Sequence, residues 1–304
     1  MDERLVQRIR QLKEEKDVVI LAHYYVDGEV QQIADYVGDS YYLAKIATKV
    51  KEDSILFCGV SFMGESAKIL NPEKRVVMAD SDADCPMAHM VTPERIAEVR
   101  AEYGDEVAVV CYVNSTAEIK AVSDVCVTSS NALRVVERID ADKIFFVPDN
   151  NLGRYVAEKI PQKQFIFHDG YCHVHKGILA EDVERKKKAY PDALVLTHPE
   201  CTMDVLALSD FVGSTSEIID YATASDKDNF IVCTETGVFF ELMQKNPEKK
   251  FYPVGNSQFC PDMKLVTLDR VIGALESMKP EVVLSPDIMK KALIPLQKML
   301  ELAE

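Results

Sequence analysis

LAHYYVDGEVQQIADYVGDS from Leu21 to Ser40, CYVNSTAEIKAVSDVCVTSS from Cys111 to Ser130 and THPECTMDVLALSDFVGSTS from Thr197 to Ser216 follow one pattern. Each reads as an apolar strand, a polar crossing, a short helix closing on (Ala/Ser)-Asp, and a turn of small residues. Superposed on Asp35, Asp124 and Asp210, the segments align without a gap. Twelve positions before that aspartate stand His23, Tyr112 and His198, and ten before it stand Tyr25, Asn114 and Glu200. Five positions after it stand Ser40, Ser129 and Thr215. All nine side chains can hydrogen-bond or transfer protons.

The repetition extends outward. DSILFCGVSFMGESAKIL, DKIFFVPDNNLGRYVAEKI and DNFIVCTETGVFFELMQKN each give a strand, a polar or glycine-containing turn and a helix. A further strand follows, then one cysteine per copy: Cys85 in DADCPMAH, Cys172 in DGYCHVHK and Cys260 in SQFCPDMK. Their separations, 87 and 88, match the 89 and 86 between the aspartates. Short Val/Ile/Phe-rich runs such as Asp17 to Leu21, Ile55 to Cys58, Val76 to Ala79, Val107 to Val113 and Ile144 to Val147 alternate with helical patterns, which is the signature of buried parallel strands. Thr92-Pro93-Glu94 marks a helix start, with Thr as cap and Pro at the first helical position.

The expected fold is therefore α/β: three homologous αβα sandwich domains with parallel sheets, arranged around a pseudo-threefold axis. The expected units are 1–90, 91–177 and 178–304. The last holds a repeat to about 265 and a tail closing with the amphipathic pattern PDIMKKALIPLQKMLELAE. Such packing would bring equivalent loops to a common centre, as symmetry does in a homotrimer. Loops beyond parallel strands are where ligand sites form.

Composition narrows the functional classes. The 304 residues are 47% apolar and 28% charged, which suits a globular chain. No run approaches the ~20 apolar residues of a membrane span, and the charged start MDERLVQRIRQLKEEKD lacks a secretory pattern. A cytoplasmic location without membrane attachment is expected. Thirty-five Lys+Arg against 50 Asp+Glu leave a net charge of −15, which disfavours nucleic acid as a partner. Eight cysteines in a reducing compartment point to core packing or metal chemistry before disulfides.

Three thiolates meeting at one point would suit zinc or a 4Fe-4S cluster with one iron lacking a protein ligand. Zinc usually gathers two ligands from one short segment, and none of the three cysteines has another Cys within four residues. His173 and His175 beside Cys172 keep zinc open. A cluster with an open iron is a Lewis acid.

The motifs LAHYYxxxEVQxIADYVGDS, DADCPMA, YVNSTAEIKAxSDVxVTSSNA, VPDxNLGxYVA, THPEC, VGST, TETG and FCPDMK, in that order from about residue 18 to 303, resemble quinolinate synthase. The resemblance implies condensation of iminoaspartate with dihydroxyacetone phosphate to quinolinate for NAD biosynthesis, with release of phosphate and two waters. It also implies coupling to an aspartate-oxidising enzyme and a 4Fe-4S cluster on Cys85, Cys172 and Cys260. The family's site residues map to His23, Tyr25, Ser40, Tyr112, Asn114, Ser129, His198, Glu200, Ser214 and Thr215. Glu200 is the expected leading acid/base, with His198, His23 and Tyr25 assisting. Ser40, Tyr112, Asn114, Ser129, Ser214 and Thr215 are expected to bind substrate. Rival readings are another 4Fe-4S hydro-lyase on a small acid, and a non-catalytic iron–sulfur electron-transfer protein.

Other residues receive plainer readings. Cys58, Cys111, Cys126 and Cys233 lie in apolar runs and are assigned to the core, while Cys201 breaks register with the three candidate ligands. His89, His168, His173 and His175 are read as loop or surface groups. ERKKK, from Glu184 to Lys188, is a solvated helix face. Tyr24, where many relatives carry Asn, is expected to point away from the centre. Some relatives carry cysteines three residues either side of the last ligand. Here Ser257 and Met263 stand there, so no disulfide switch is expected at that loop. Gly153 and Gly237 are isolated glycines and say little about phosphate.

Overall fold

The computed structural model describes residues 2–304, and within them twelve strands form three four-stranded parallel sheets. The first holds β1 (Val18–His23), β2 (Tyr36–Gly38), β3 (Ser54–Cys58) and β4 (Arg75–Met78). The second holds β5 (Val107–Tyr112), β6 (Val125–Val127), β7 (Lys143–Val147) and β8 (Gln164–Phe167). The third holds β9 (Leu194–Thr197), β10 (Phe211–Val212), β11 (Asn229–Cys233) and β12 (Lys250–Pro253). Strand order is the same in all three, second-first-third-fourth, with helices between the strands. The chain is α/β, and its sheets repeat as the sequence pattern indicates.

The aspartates that anchor the alignment have one physical task. Each precedes a very short edge strand, and its carboxylate extends the ladder that this strand cannot supply. Asp35 accepts from the Ile20 N–H at 2.8 Å, Asp124 from Val109 at 2.7 Å and Asp210 from Val195 at 2.8 Å. The aspartate N–H returns a bond to the same residue's carbonyl at 2.9, 3.0 and 2.9 Å. A buried strand N–H must find a partner, and these carboxylates are that partner.

Burial alternates as a two-faced sheet requires. In the third sheet Val195, Ile231 and Cys233 pack on one face with Ile178, Val183 and Val205, while Leu196, Phe230 and Val232 pack on the other with Ile218 and Leu242. Core residues of the first two sheets belong to one continuous cluster. The closing helix Pro286–Leu302 fastens it, lying on the helices Ser61–Leu70 and Ala117–Ala121 and on β6. The helix Leu268–Ser277 packs on the first helix, Glu3–Lys16. Thr92 caps Pro93–Tyr103 as expected, accepting from the Arg95 N–H at 3.3 Å. Among the described residues no helix is long and apolar enough to cross a membrane.

Two glycines are required by close approach. A Cβ on Gly237 would lie 2.6 Å from the Tyr24 carbonyl oxygen, where third-sheet backbone crosses the chain after β1. A Cβ on Gly170 would lie 2.4 Å from the Pro148 oxygen, where the Cys172 loop passes the end of β7. Tyr24 turns away from the cavity described below and packs into the third sheet's core beside Leu196, Ile218 and Val238.

Candidate functional site

The carboxyl ends of the three sheets open onto one cavity. Cys85, Cys172 and Cys260 line it together with His23, Tyr25, Ser40, Tyr112, Asn114, Ser129, His198, Glu200 and Thr215. Every register triple therefore faces the same space. Ser214 does not line it. Its hydroxyl caps the helix Thr215–Ala224, accepting from the Glu217 N–H at 3.3 Å while its own N–H donates to the Glu217 carboxylate at 2.7 Å.

Each of the three cysteines follows the last strand of its sheet at the start of a short helical turn. The backbone N–H groups of Ala88, His175 and Met263, three residues beyond each cysteine, favour its thiolate form. Burial nevertheless pushes the Cys85 thiol up to about 12 and Cys260 up to about 11, and drives Cys172 upward too, with the Glu200 charge adding to the rise. A metal entering here must displace those protons. All eight cysteines are free. Cys58, Cys111, Cys126 and Cys233 are buried away from the cavity, as their apolar settings indicated, and Cys201, which broke the register, is buried off it too.

His175 corrects the sequence reading. It is a buried residue at the centre, not a loop or surface group. Its Nδ1 lies 2.9 Å from Glu200 Oε2 and 3.2 Å from Cys172 Sγ, and its Nε2 lies 2.8 Å from Thr234 Oγ1. Thr234 Oγ1 is in turn 2.8 Å from the Tyr25 hydroxyl, which also meets Thr215 Oγ1 at 2.8 Å. His173 also lines the cavity, whereas His89 is exposed against Asp84 and His168 bonds the Met90 carbonyl.

The wall of the cavity is acidic. Asp39, Asp84, Glu200, Glu235 and Asp262 line the cavity, and no Lys or Arg does so among the described residues. Lys264 stands behind it, reaching the Tyr25 carbonyl at 2.7 Å and Glu235 at 3.3 Å. Burial pushes Glu200 up, but His175 beside it outweighs that and holds the carboxyl below its usual value. Its second oxygen, Oε1, is buried without a partner, as is Asn114 Oδ1. Tyr25 and Tyr112 are held protonated, first by burial and then by the Glu200 charge.

Burial drives His23 and His198 down to about 3, so both imidazoles are neutral near pH 7. His23 Nδ1 accepts from the Tyr25 N–H at 3.1 Å, which leaves its proton on Nε2. The unfolded chain protonates these rings near 6.5 while the folded chain does not. Stability of the metal-free protein should thus fall as pH drops from about 6.5 towards 3. Denaturant midpoints measured against pH should show a shallower slope in His198→Asn, and an unchanged slope would contradict a neutral buried ring.

The family model described as Quinolinate synthetase A protein matches residues 7–301. A protein of Fusobacterium nucleatum named quinolinate synthase is 53% identical over 296 residues, covering 97% of this chain and 98% of its own. One of Clostridioides difficile, with the same name, is 50% identical over 304 residues and the whole of both chains. One of Caldicellulosiruptor saccharolyticus, so named too, is 46% identical over 301 residues and 99% of both.

Proposed function

Since the chain belongs to the quinolinate synthetase A family, we propose that it condenses iminoaspartate with dihydroxyacetone phosphate to quinolinate, releasing phosphate and two waters, in NAD biosynthesis. The observation that carries this reading is the meeting, in one cavity, of three equivalent cysteines and the unpartnered oxygen of buried Glu200.

The donor set fits a 4Fe-4S cluster. Three free thiols stand at equivalent loop positions, and no fourth cysteine lines the cavity among the described residues. When bound to Cys85, Cys172 and Cys260, such a cluster supplies Lewis acidity at its cysteine-free iron. On this reading the units 1–90, 91–177 and 178–304 surround a pseudo-threefold axis through that point. One observation favours a different metal: ligand atoms of Cys172, His175 and Glu200 lie within 4.8 Å of one another, as a zinc site would need. That trio leaves Cys85 and Cys260 without a role, and coordination through Nδ1 would take that nitrogen from its contact with Glu200.

The chain's own groups form a directed path for protons. With Nδ1–H of His175 donating to Glu200, Nε2 is left to accept from the Thr234 hydroxyl, whose oxygen accepts from Tyr25. In this orientation a proton that Tyr25 takes from bound substrate is balanced by one passed along to the Glu200 carboxylate; with Glu200 protonated and every bond reversed, the path returns a proton through Tyr25 to a departing oxygen. Glu200 Oε1 is free to take a proton from bound substrate. Ser40 and Thr215 stand at helix starts, and with Ser129 and Asn114 they offer neutral donors to carboxylate and phosphate oxygens. Neutral donors avoid burying cations beside three metal-bound thiolates. Iminoaspartate would come from an aspartate-oxidising enzyme in the same cytoplasm.

Anaerobically reconstituted protein should contain iron and labile sulfide, and should form quinolinate when given dihydroxyacetone phosphate and enzymatically generated iminoaspartate. A full cluster without quinolinate would favour another hydro-lyase or an electron carrier. One zinc without iron would favour the Cys172-His175-Glu200 trio.

A further inference from the structure

The three cysteine loops are fastened to their sheets by one shared backbone bond. The N–H of Ser61, Asn150 and Thr236, each three residues beyond the end of β3, β7 or β11, donates to the carbonyl two residues before the cysteine. Those acceptors are Ala83 at 2.9 Å, Gly170 at 2.8 Å and Gln258 at 2.9 Å.

A second tie differs among the units. Asp149 and Glu235 occupy the same register position, two residues beyond β7 and β11, where the first unit has Val60. Asp149 Oδ2 accepts from the Cys172 N–H at 3.1 Å, and Glu235 Oε1 accepts from the Cys260 N–H at 3.2 Å. Their other oxygens hold the following turn: Leu152 N–H to Asp149 Oδ1 at 2.7 Å, and Gly237 N–H to Glu235 Oε2 at 2.5 Å. In the first unit, which lacks a strand-end carboxylate, Asp84 takes the Cys85 N–H at 2.8 Å.

We propose that Asp149 and Glu235 are positioning residues for the metal centre, each using its two carboxylate oxygens to lock a cysteine to the end of a buried strand. The inference rests on the cluster reading above. Both carboxylates are fully buried, at 0% exposure, and burying such a group is costly unless its bonds are made. One oxygen caps the following helix in Asp149 and holds the Gly237 turn in Glu235, and the second goes to the cysteine. An amide offers one acceptor and turns an NH₂ towards an N–H donor. Asp149→Asn or Glu235→Gln must therefore release either the helix turn or the cysteine loop.

The test uses wild type, Asp149→Asn, Glu235→Gln and Asp210→Asn, all reconstituted anaerobically. Asp210 is a strand carboxylate that accepts from Val195 and is the control for loss of fold alone. Asp149→Asn and Glu235→Gln should each release iron to a chelator roughly 10- to 100-fold faster than wild type, the usual effect of removing a group that orients a metal ligand. Their reduced clusters should also give a shifted electron paramagnetic resonance signal. Asp210→Asn should melt earlier but release iron at the wild-type rate. Wild-type release rates and spectra in both variants, or rates no faster than Asp210→Asn at equal thermal stability, would overturn the proposal. The two variants report independently, so failure of one to fold leaves the other decisive. Wild type that takes up no iron and sulfide removes the cluster reading first, and this inference with it.

Discussion

Glu200→Gln is expected to lower quinolinate formation by roughly 10²- to 10⁴-fold, the range of a positioned acid–base group, with iron and sulfide content unchanged. Glutamine matches glutamate in shape but cannot take a proton at the position of Oε1, the buried oxygen without a partner. Its amide also breaks the path at the other end, because Oε2 accepts from His175 Nδ1 at 2.9 Å. The loss should fall on kcat more than on KM, since Ser40, Ser129, Asn114 and Thr215 are untouched. Anaerobic steady-state assays with iron quantification distinguish a lost base from a lost cofactor. Activity within a few-fold of wild type would remove Glu200 from the role of base.

The second large effect concerns metal content. Cys85→Ser, Cys172→Ser and Cys260→Ser should each fail to retain the cluster, because a hard, poorly acidic hydroxyl replaces a soft thiolate. Cys111→Ser and Cys233→Ser, on β5 and β11 away from the cavity, should keep iron and sulfide at wild-type levels and affect packing alone. Anaerobic iron and sulfide analysis reads both sets. A normal cluster in any of the first three variants would remove that cysteine from the ligand set.

The threefold register was legible because its causes are local. Asp35, Asp124 and Asp210 recur because each short edge strand needs the same carboxylate on its neighbour's N–H. The three cysteines recur because each loop leaves its sheet by the same backbone bond. Polar residues repeated in all three units therefore form the wall of the cavity. His175 breaks the repeat, since its equivalents three residues after the other cysteines are Ala88 and Met263. Thr234 breaks it too, with Gly59 and Pro148 in its place. The signal for both lies in the difference between the units. An asymmetric reaction in a threefold frame needs groups that break the repeat.

The sequence by itself determined the strands, their parallel order, the three cysteine loops and the nine polar positions, since strand periodicity and turn chemistry act over a few residues. Only the tertiary structure decided that Tyr25, Thr234, His175 and Glu200 form one hydrogen-bonded path. It alone turned Ser214 into a helix cap and set Asp149 and Glu235 behind the cysteines. Those contacts join residues far apart in the chain, and their partners are fixed by how the sheets pack, which no local pattern encodes.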